Sequence, residues 1–377
     1  MVSLIRRLHY VPLVFQSALR ARREYGKSLL SQLIEIMRLR FGPGLLGPTE
    51  YYEFALFNDQ LTNFKQKKEF AGWRMWIHLE ETVNDASWRS VANDKFVFYS
   101  MMRGLNLAIP EIYAVFDRGG RGVHGLPQFN TIERFVDYLK NEAPFPFFAK
   151  PCYSHYGIGG FAIKGYNRDL DAFLLGGDDT IKVSEFIRVV EEEGSAGYLV
   201  QVWLRPDPSM DEMLGGRLSS ARFNILITPG GPKIHWVTWK LPTGSNVVDN
   251  FHLGTTGNLA GFVDPDTGRV LRVCGGIGFD LKEIKAHPNT GKPVVGITLP
   301  NWPRTIEYCL AAARCFPGLK AQHWDIAFTD TGPVALELNT YGGLDIQQFS
   351  SSRGFMNENL QSFMRQLRKK KKRSRSS

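Results

Sequence analysis

HWDIAFTDTGPVALELN, residues 323–339, reads as two apolar strands around the turn TDTGP, with Asp325 on the first strand and Glu337 and Asn339 on the second. Strand side chains alternate between faces, so Glu337 and Asn339, two residues apart, share a face, and hairpin pairing brings Asp325 beside them. Oxygen donors gathered among Ile, Ala, Phe, Val and Leu would repel one another or demand costly burial unless a cation sat between them. Hard oxygen ligands suit Mg²⁺ shared with nucleotide phosphates. The plainer alternative is that these polar groups only edge a sheet.

Upstream, FPFFAKPCYSHYGIGGFAIK (145–164) has a strand ending in Lys150, a loop rich in Ser and Gly, and a returning strand. A lysine at a strand end offers a point charge to phosphates. Gly157, Gly159 and Gly160 let backbone N–H groups approach the same oxygens, with Ser154 and Tyr156 in the same loop. Gly-x-Gly-Gly between strands is also an ordinary hairpin. The stretch is not a Walker A sequence, and no G-x-G-x-x-G follows a strand into a helix.

Around these two stretches the chain changes character once. Residues 3–41 mix apolar residues with Arg and Lys at helical spacing and end in FGPGLLGP (41–48), which predicts one or two amphipathic helices with a basic polar face. Such a face could lie on an anionic membrane or pack on the enzyme body. Residues 50–116 read as mainly helical. From about 145 onward, YLVQVWL, ARFNILIT, KIHWVTWKL, WDIAFT and PVALELN are strands, with helices near 184–193 and 303–316 between them. The pattern predicts an α+β enzyme with mostly antiparallel sheets.

Bulk properties narrow the classes. A chain of 377 residues with 43% hydrophobic and 22% charged residues buries a large core in two or three subdomains. Seven charges of the formal +9 sit at Arg368–Arg373 and Arg375, so the body is nearly balanced and no specific nucleic-acid partner is expected. That tail, 366–377, is expected to be disordered and, with the N-terminal helix, is a candidate for peripheral membrane contact. Cys152, Cys274, Cys309 and Cys315 show no metal or disulfide spacing. Arg20, Arg22 and Arg23 stand where a secretory signal would carry its cleavage site, so a cytoplasmic location is expected. His155 is a candidate phosphate or acceptor contact, or simply a solvent-facing loop residue.

In this order and at this separation, the Lys–Gly-loop stretch and the Asp–Glu–Asn hairpin resemble the ATP-grasp superfamily, and within it the sugar-transfer-associated ATP-grasp family. The resemblance extends to SSARFNILIT (219–228), VVDNFHLGTTGNLAGFVDPDTGRV (247–270) and HPNTGKPVVGITLPNW (287–302). It implies two α+β subdomains clasping ATP behind an N-terminal helical region at 1–90, with the smaller lobe at 91–195 and the metal-bearing lobe at 196–365. It also implies that Lys150 and the Gly loop hold the phosphates, that Lys95 is a further nucleotide contact, and that Gln201, Val202, Trp203 and Leu204 read the adenine edge. Asp207 is the candidate for the ribose hydroxyls. Asp325, Glu337 and Asn339 would bind Mg²⁺. Arg222 would stabilise the transferred phosphoryl group, and Lys240, Asp249 and Asn250 would line the acceptor side. Where many ligase-type members have Gly before the W-D pair, His323 could narrow or repolarise the acceptor pocket.

Phosphoryl transfer asks a protein to align groups and neutralise developing charge. One reading is a ligase in which an acceptor carboxylate attacks the γ-phosphate of ATP and an amine displaces the acyl phosphate, with a saccharide conjugate as the setting. The same site could instead phosphorylate a sugar or alcohol hydroxyl. A nucleotide-binding scaffold working through its basic ends is the third reading.

Overall fold

Short alternating strands with Gly and Pro between them assemble two sheets. The computed structural model describes residues 2–373 except His155, Tyr156 and Asp178, with side chains described from residue 12 to residue 367. Among the described residues the first sheet contains β1 (Ile112–Phe116), β2 (Gln128–Phe129), β3 (Phe147–Pro151), β4 (Phe161–Asn167), β5 (Ala172–Leu175), β6 (Thr180–Lys182) and β7 (Tyr198–Val202). Their spatial order is β2-β1-β7-β3-β4-β5-β6. Only β1 and β2 pair in parallel. Helices Ile132–Asn141 and Val183–Glu193 bury Phe135, Leu139, Phe186 and Val190 against Phe116, Phe147 and Tyr198. β7 lies between β1 and β3, so this sheet runs past residue 195, where a lobe boundary was expected.

The second sheet contains β8 (Ser220–Thr228), β9 (Gly231–Leu241), β10 (Leu259–Val263), β11 (Val270–Gly275), β12 (Lys282–Glu283), β13 (Ala321–Thr329) and β14 (Gly332–Asn339). The order β12-β11-β10-β9-β8-β13-β14 is antiparallel throughout. Helix Trp302–Arg314 packs on β8, β9 and β14, and helix Asp345–Ser351 on β9, β10 and β11. Every residue of β13 is buried, so Asp325 sits inside the layered core rather than at a solvated edge. The fold is thus α+β.

The N-terminal basic stretch forms two helices, α1 (Val2–Tyr25) and α2 (Leu29–Arg40). Ala21 and Leu39 join Tyr51, Tyr52, Phe57, Phe251 and Phe349 in a core cluster, so each helix packs one side on the enzyme body. At the other end, helix Glu358–Arg373 is held by buried Leu360, Phe363 and Met364 against Met75 and Leu79. It runs to Arg373, within the segment 366–377 that the sequence reads as a basic tail.

Candidate active site

β13 and β14 deliver the hairpin geometry that the alternation implied. Asp325 pairs directly with Glu337, with a register shift immediately after it, and Arg222 on β8 pairs with Asp325 from the other side. Arg222 donates from Nε and Nη2 to the two Asp325 carboxylate oxygens, both at 2.8 Å, and from Nη1 to the Gly342 carbonyl oxygen at 2.6 Å. Lys240 Nζ lies 3.3 Å from Asp325 Oδ2 and 3.1 Å from Asp249 Oδ1. Asp249 in turn accepts from the Ser220 N–H at 2.7 Å and the Ser220 hydroxyl at 2.6 Å. Burial opposes ionisation of Asp325, but Arg222 and Lys240 outweigh it and hold the carboxyl well below the ordinary range. Glu337 is likewise lowered, burial being overcome by Lys95 and Lys150. Both carboxylates are therefore charged at neutral pH.

The first sheet supplies the facing wall. Lys150 Nζ donates to the Tyr99 hydroxyl at 2.7 Å, and that hydroxyl donates to the Leu336 carbonyl oxygen at 2.7 Å. Burial lowers the Lys150 pKa to about 8, with Glu337 opposing and Lys95 reinforcing the shift. Lys95 starts helix Lys95–Gly104, capped by the Asp94 side chain; its Nζ reaches Glu337 at 3.6 Å and the Ser154 carbonyl oxygen at 3.2 Å. One lysine thus ties the Gly-rich loop to the carboxylate hairpin. Gly157 and Gly159 have φ of 75° and 73°, which L side chains adopt only with strain.

A cavity of about 1630 Å³ is lined from both sheets. Of the residues singled out in the sequence, Lys95, Lys150, Ser154, Gly157, Gly160, Gln201, Val202, Trp203, Leu204, Arg222, Lys240, Asp249, Asn250, Asp325, Glu337 and Asn339 line it. The Val202 N–H donates to the Glu111 carbonyl oxygen, so strand pairing already occupies that donor. Tyr156 and His155 lie outside the described residues.

Three of the expected site residues lie off the cavity lining. Asp207 does not line the cavity; it caps helix Pro208–Leu214, accepting from the Ser209 N–H and hydroxyl and from Asn301. Pro208 at the first helical position makes Asp207 a natural cap. Gly159 is not among the residues lining the cavity; its carbonyl oxygen accepts from the Tyr198 hydroxyl, and a Cβ there would meet Pro151 at 2.9 Å, which anchors the loop. His323 is buried away from the cavity, bonded to Glu80 at 2.9 Å and Asn224 at 2.5 Å, with Gln347 behind Asn224. It braces β13 from beneath.

Sequence reading missed Tyr99, which falls four residues after Lys95 and so shares its helical face. It also missed Tyr341, in the segment after β14, which lines the cavity with Trp73 and Trp76, two tryptophans whose sequence reading was core or pocket lining. Trp73 and Trp76 meet edge to face with centroids 4.9 Å apart, and the buried Trp76 Nε1 has no hydrogen-bond partner.

The donor set of Asp325, Glu337 and Asn339 is two ionised carboxylates and an amide, a hard-oxygen set that fits Mg²⁺. Among the described residues no group of three or more His, Cys, Asp or Glu side chains forms a metal cluster. Asp325 shares its oxygens with Arg222, Lys240 and Asn339, whose Nδ2 is 3.4 Å away, so Glu337 offers the less engaged carboxylate.

Two lobes whose sheets face each other across a cavity bearing buried lysines and a carboxylate hairpin define the ATP-grasp class. The family model described as sugar-transfer associated ATP-grasp matches residues 74–365, and the chain belongs to that family. Among solved structures, the D-alanine–D-alanine ligase from Bacillus anthracis is similar at 12% identity and a TM-score of 0.42, over 79% of this chain and 77% of that one. The Helicobacter pylori D-alanine–D-alanine ligase is similar at 9% identity and a TM-score of 0.39, over 74% of this chain but only 60% of its own length. VanG D-Ala:D-Ser ligase from Enterococcus faecalis follows at 11% and 0.40, with 74% of this chain and 64% of that chain covered. No curated protein matches the chain.

Proposed function

We propose that this protein is an ATP-dependent ligase that activates an acceptor carboxylate as an acyl phosphate for attack by an amine, with a saccharide or sugar-conjugate precursor as acceptor. The observation that carries the reading is the convergence of Lys95, Lys150, Arg222 and Lys240 on the ionised pair Asp325 and Glu337 in one cavity. Lys150 and Lys95 bind the phosphates of ATP, and the Gly157–Gly160 loop covers them. Arg222, rigidly held by Asp325, offers charge to the oxygens that develop negative charge during transfer. Asp325, Glu337 and Asn339 would hold Mg²⁺, which supplies neutralisation of the β- and γ-phosphate oxygens. Lys240 and Asp249 orient the acceptor, and loop closure keeps water from the acyl phosphate. Trp73, Trp76 and Tyr341 offer aromatic faces, a surface suited to the C–H faces of a sugar.

The deciding experiment supplies Mg-ATP with panels of sugar acids and amines. ADP and phosphate should appear with an amide product, and hydroxylamine should trap the activated acyl group as a hydroxamate. AMP release would rule out the acyl-phosphate route. A stable phosphorylated sugar without amide would instead identify a kinase.

A further inference from the structure

α2 wears its apolar stripe on the outside. Leu30, Leu33, Ile34, Met37 and Phe41 recur at i, i+3, i+4, i+7 and i+11, one face of a helix, and that face is turned to solvent. Their exposure runs from 43% at Ile34 to 79% at Phe41. The opposite side, with Gln32 and Leu39, is the buried one. On α1, Leu13, Phe15 and Leu19 are also exposed, and the two helices pack on each other. An ordinary surface helix buries such a stripe; single exposed apolar residues need no explanation, but a periodic set of this kind does.

The charge around the stripe has one sign. Residues 1–41 contain eight Lys and Arg against two Glu. Both acids are engaged: Glu24 by Arg20 and Arg23, and Glu35 by Lys27, Lys67 and the Tyr51 hydroxyl. The neighbouring Asp59 is held by Lys27 and Lys67, and Asp280 lies 3.7 Å from Arg20. Arg22, Arg23 and Arg38 are exposed at the margins. Among the described residues, no helix is long and apolar enough to cross a membrane.

We propose that the outward face of α1 and α2 docks on an anionic lipid bilayer, the Leu30–Phe41 stripe entering the interface and the arginines meeting acidic headgroups. An apolar face flanked by basic residues is the design that lies in a membrane surface, apolar burial and headgroup attraction acting together. A second copy of the chain fits less well, because pairing the stripe with itself sets one arginine margin against another. The same core cluster that seats Ala21 and Leu39 contains Phe251 and Ile346, which line the cavity. That cluster is the route by which docking of the helices would be felt at the cavity wall. The docking itself does not depend on the reaction proposed above.

The test is vesicle cosedimentation of the full chain, comparing phosphatidylcholine alone with phosphatidylcholine containing phosphatidylglycerol, beside the variant Leu33→Ser, Met37→Ser, Phe41→Ser. The parent should sediment with the anionic vesicles and release as salt rises, and the triple variant should partition at least roughly tenfold less. Its thermal unfolding should match the parent, since the replaced side chains are solvent-facing. Failure to bind anionic vesicles overturns the proposal. So does unchanged binding by the triple variant, which would assign the attraction to the basic C-terminal helix. So does a parent dimer that the variant converts to monomer, which would show that a second copy covers the stripe.

Discussion

Lys150 and Lys240 are buried lysines lining one cavity, one from each sheet, and burial pulls both toward the neutral form. At Lys240 the carboxylates of Asp249 and Asp325 overcome burial, and its pKa is raised. At Lys150 burial prevails over Glu337, Lys95 adds repulsion, and the pKa falls to about 8. The second-sheet wall is thus neutralised by its own residues, whereas the first-sheet wall is short of negative charge. A polyanion such as the triphosphate proposed above would complete the first wall; the second is already organised without one. Stability and binding are therefore expected to respond oppositely to changes on the two walls.

The sharpest break is Asp325→Ala, which leaves Arg222 and Lys240 buried without their shared partner. We expect a loss of about 3–5 kcal/mol in denaturant unfolding. Mild destabilisation would mean the second wall is not self-neutralised. Glu337→Gln keeps the shape of the hairpin but removes the less engaged carboxylate and the counter-charge of Lys95 and Lys150; ATP turnover should fall by at least about 10²-fold, with a smaller loss of stability than for Asp325→Ala. Turnover close to the parent's would remove Glu337 from the proposed metal set.

Lys150→Met should do the opposite to stability. Between about 8 and its ordinary 10.5, Lys150 binds fewer protons folded than unfolded, so parent stability rises with pH across that interval. Below pH 8 the buried charge is a burden, and the variant should be more stable at pH 7 by on the order of 1–3 kcal/mol, with the difference shrinking toward pH 10. The same variant should lose ATP affinity. In the parent, affinity should weaken above pH 8 as Lys150 deprotonates, whereas Lys150→Arg should show no such fall; calorimetry at several pH values reads both. The carboxylates act in reverse: the lowered pKa values of Asp325 and Glu337 contribute stability that is present near neutrality and lost as pH falls through those folded-state values. The smallest effect is expected for Gly159→Ala, about 1–2 kcal/mol, from a positive φ and contact with Pro151. A turnover defect larger than the stability loss would show that the loop must close to work.

Residue alternation was enough to place Glu337 and Asn339 on one face and Asp325 opposite, because a hairpin of known turn leaves few registers. The order of motifs was enough to identify the ATP-grasp fold. Asp207 escaped a correct reading because an Asp before Pro near a strand end suits both a ribose contact and a helix cap, and only the course of the following chain separates them. His323 was misread for a related reason: its neighbours Glu80, Asn224 and Gln347 are distant in sequence.

By itself, the sequence determined the elements, the pairing that builds the carboxylate hairpin and the family, since these depend on local periodicity and short-range turns. Only the tertiary structure decided which charges are paired. Arg222 and Lys240 meet Asp325 from strands 103 and 85 residues away in the chain, with Asp249 joining through Lys240, and burial sets the protonation of Lys150. It also decided that the apolar stripe of α2 faces outward, because periodicity reveals that a helix has two faces and packing alone selects the one that is covered.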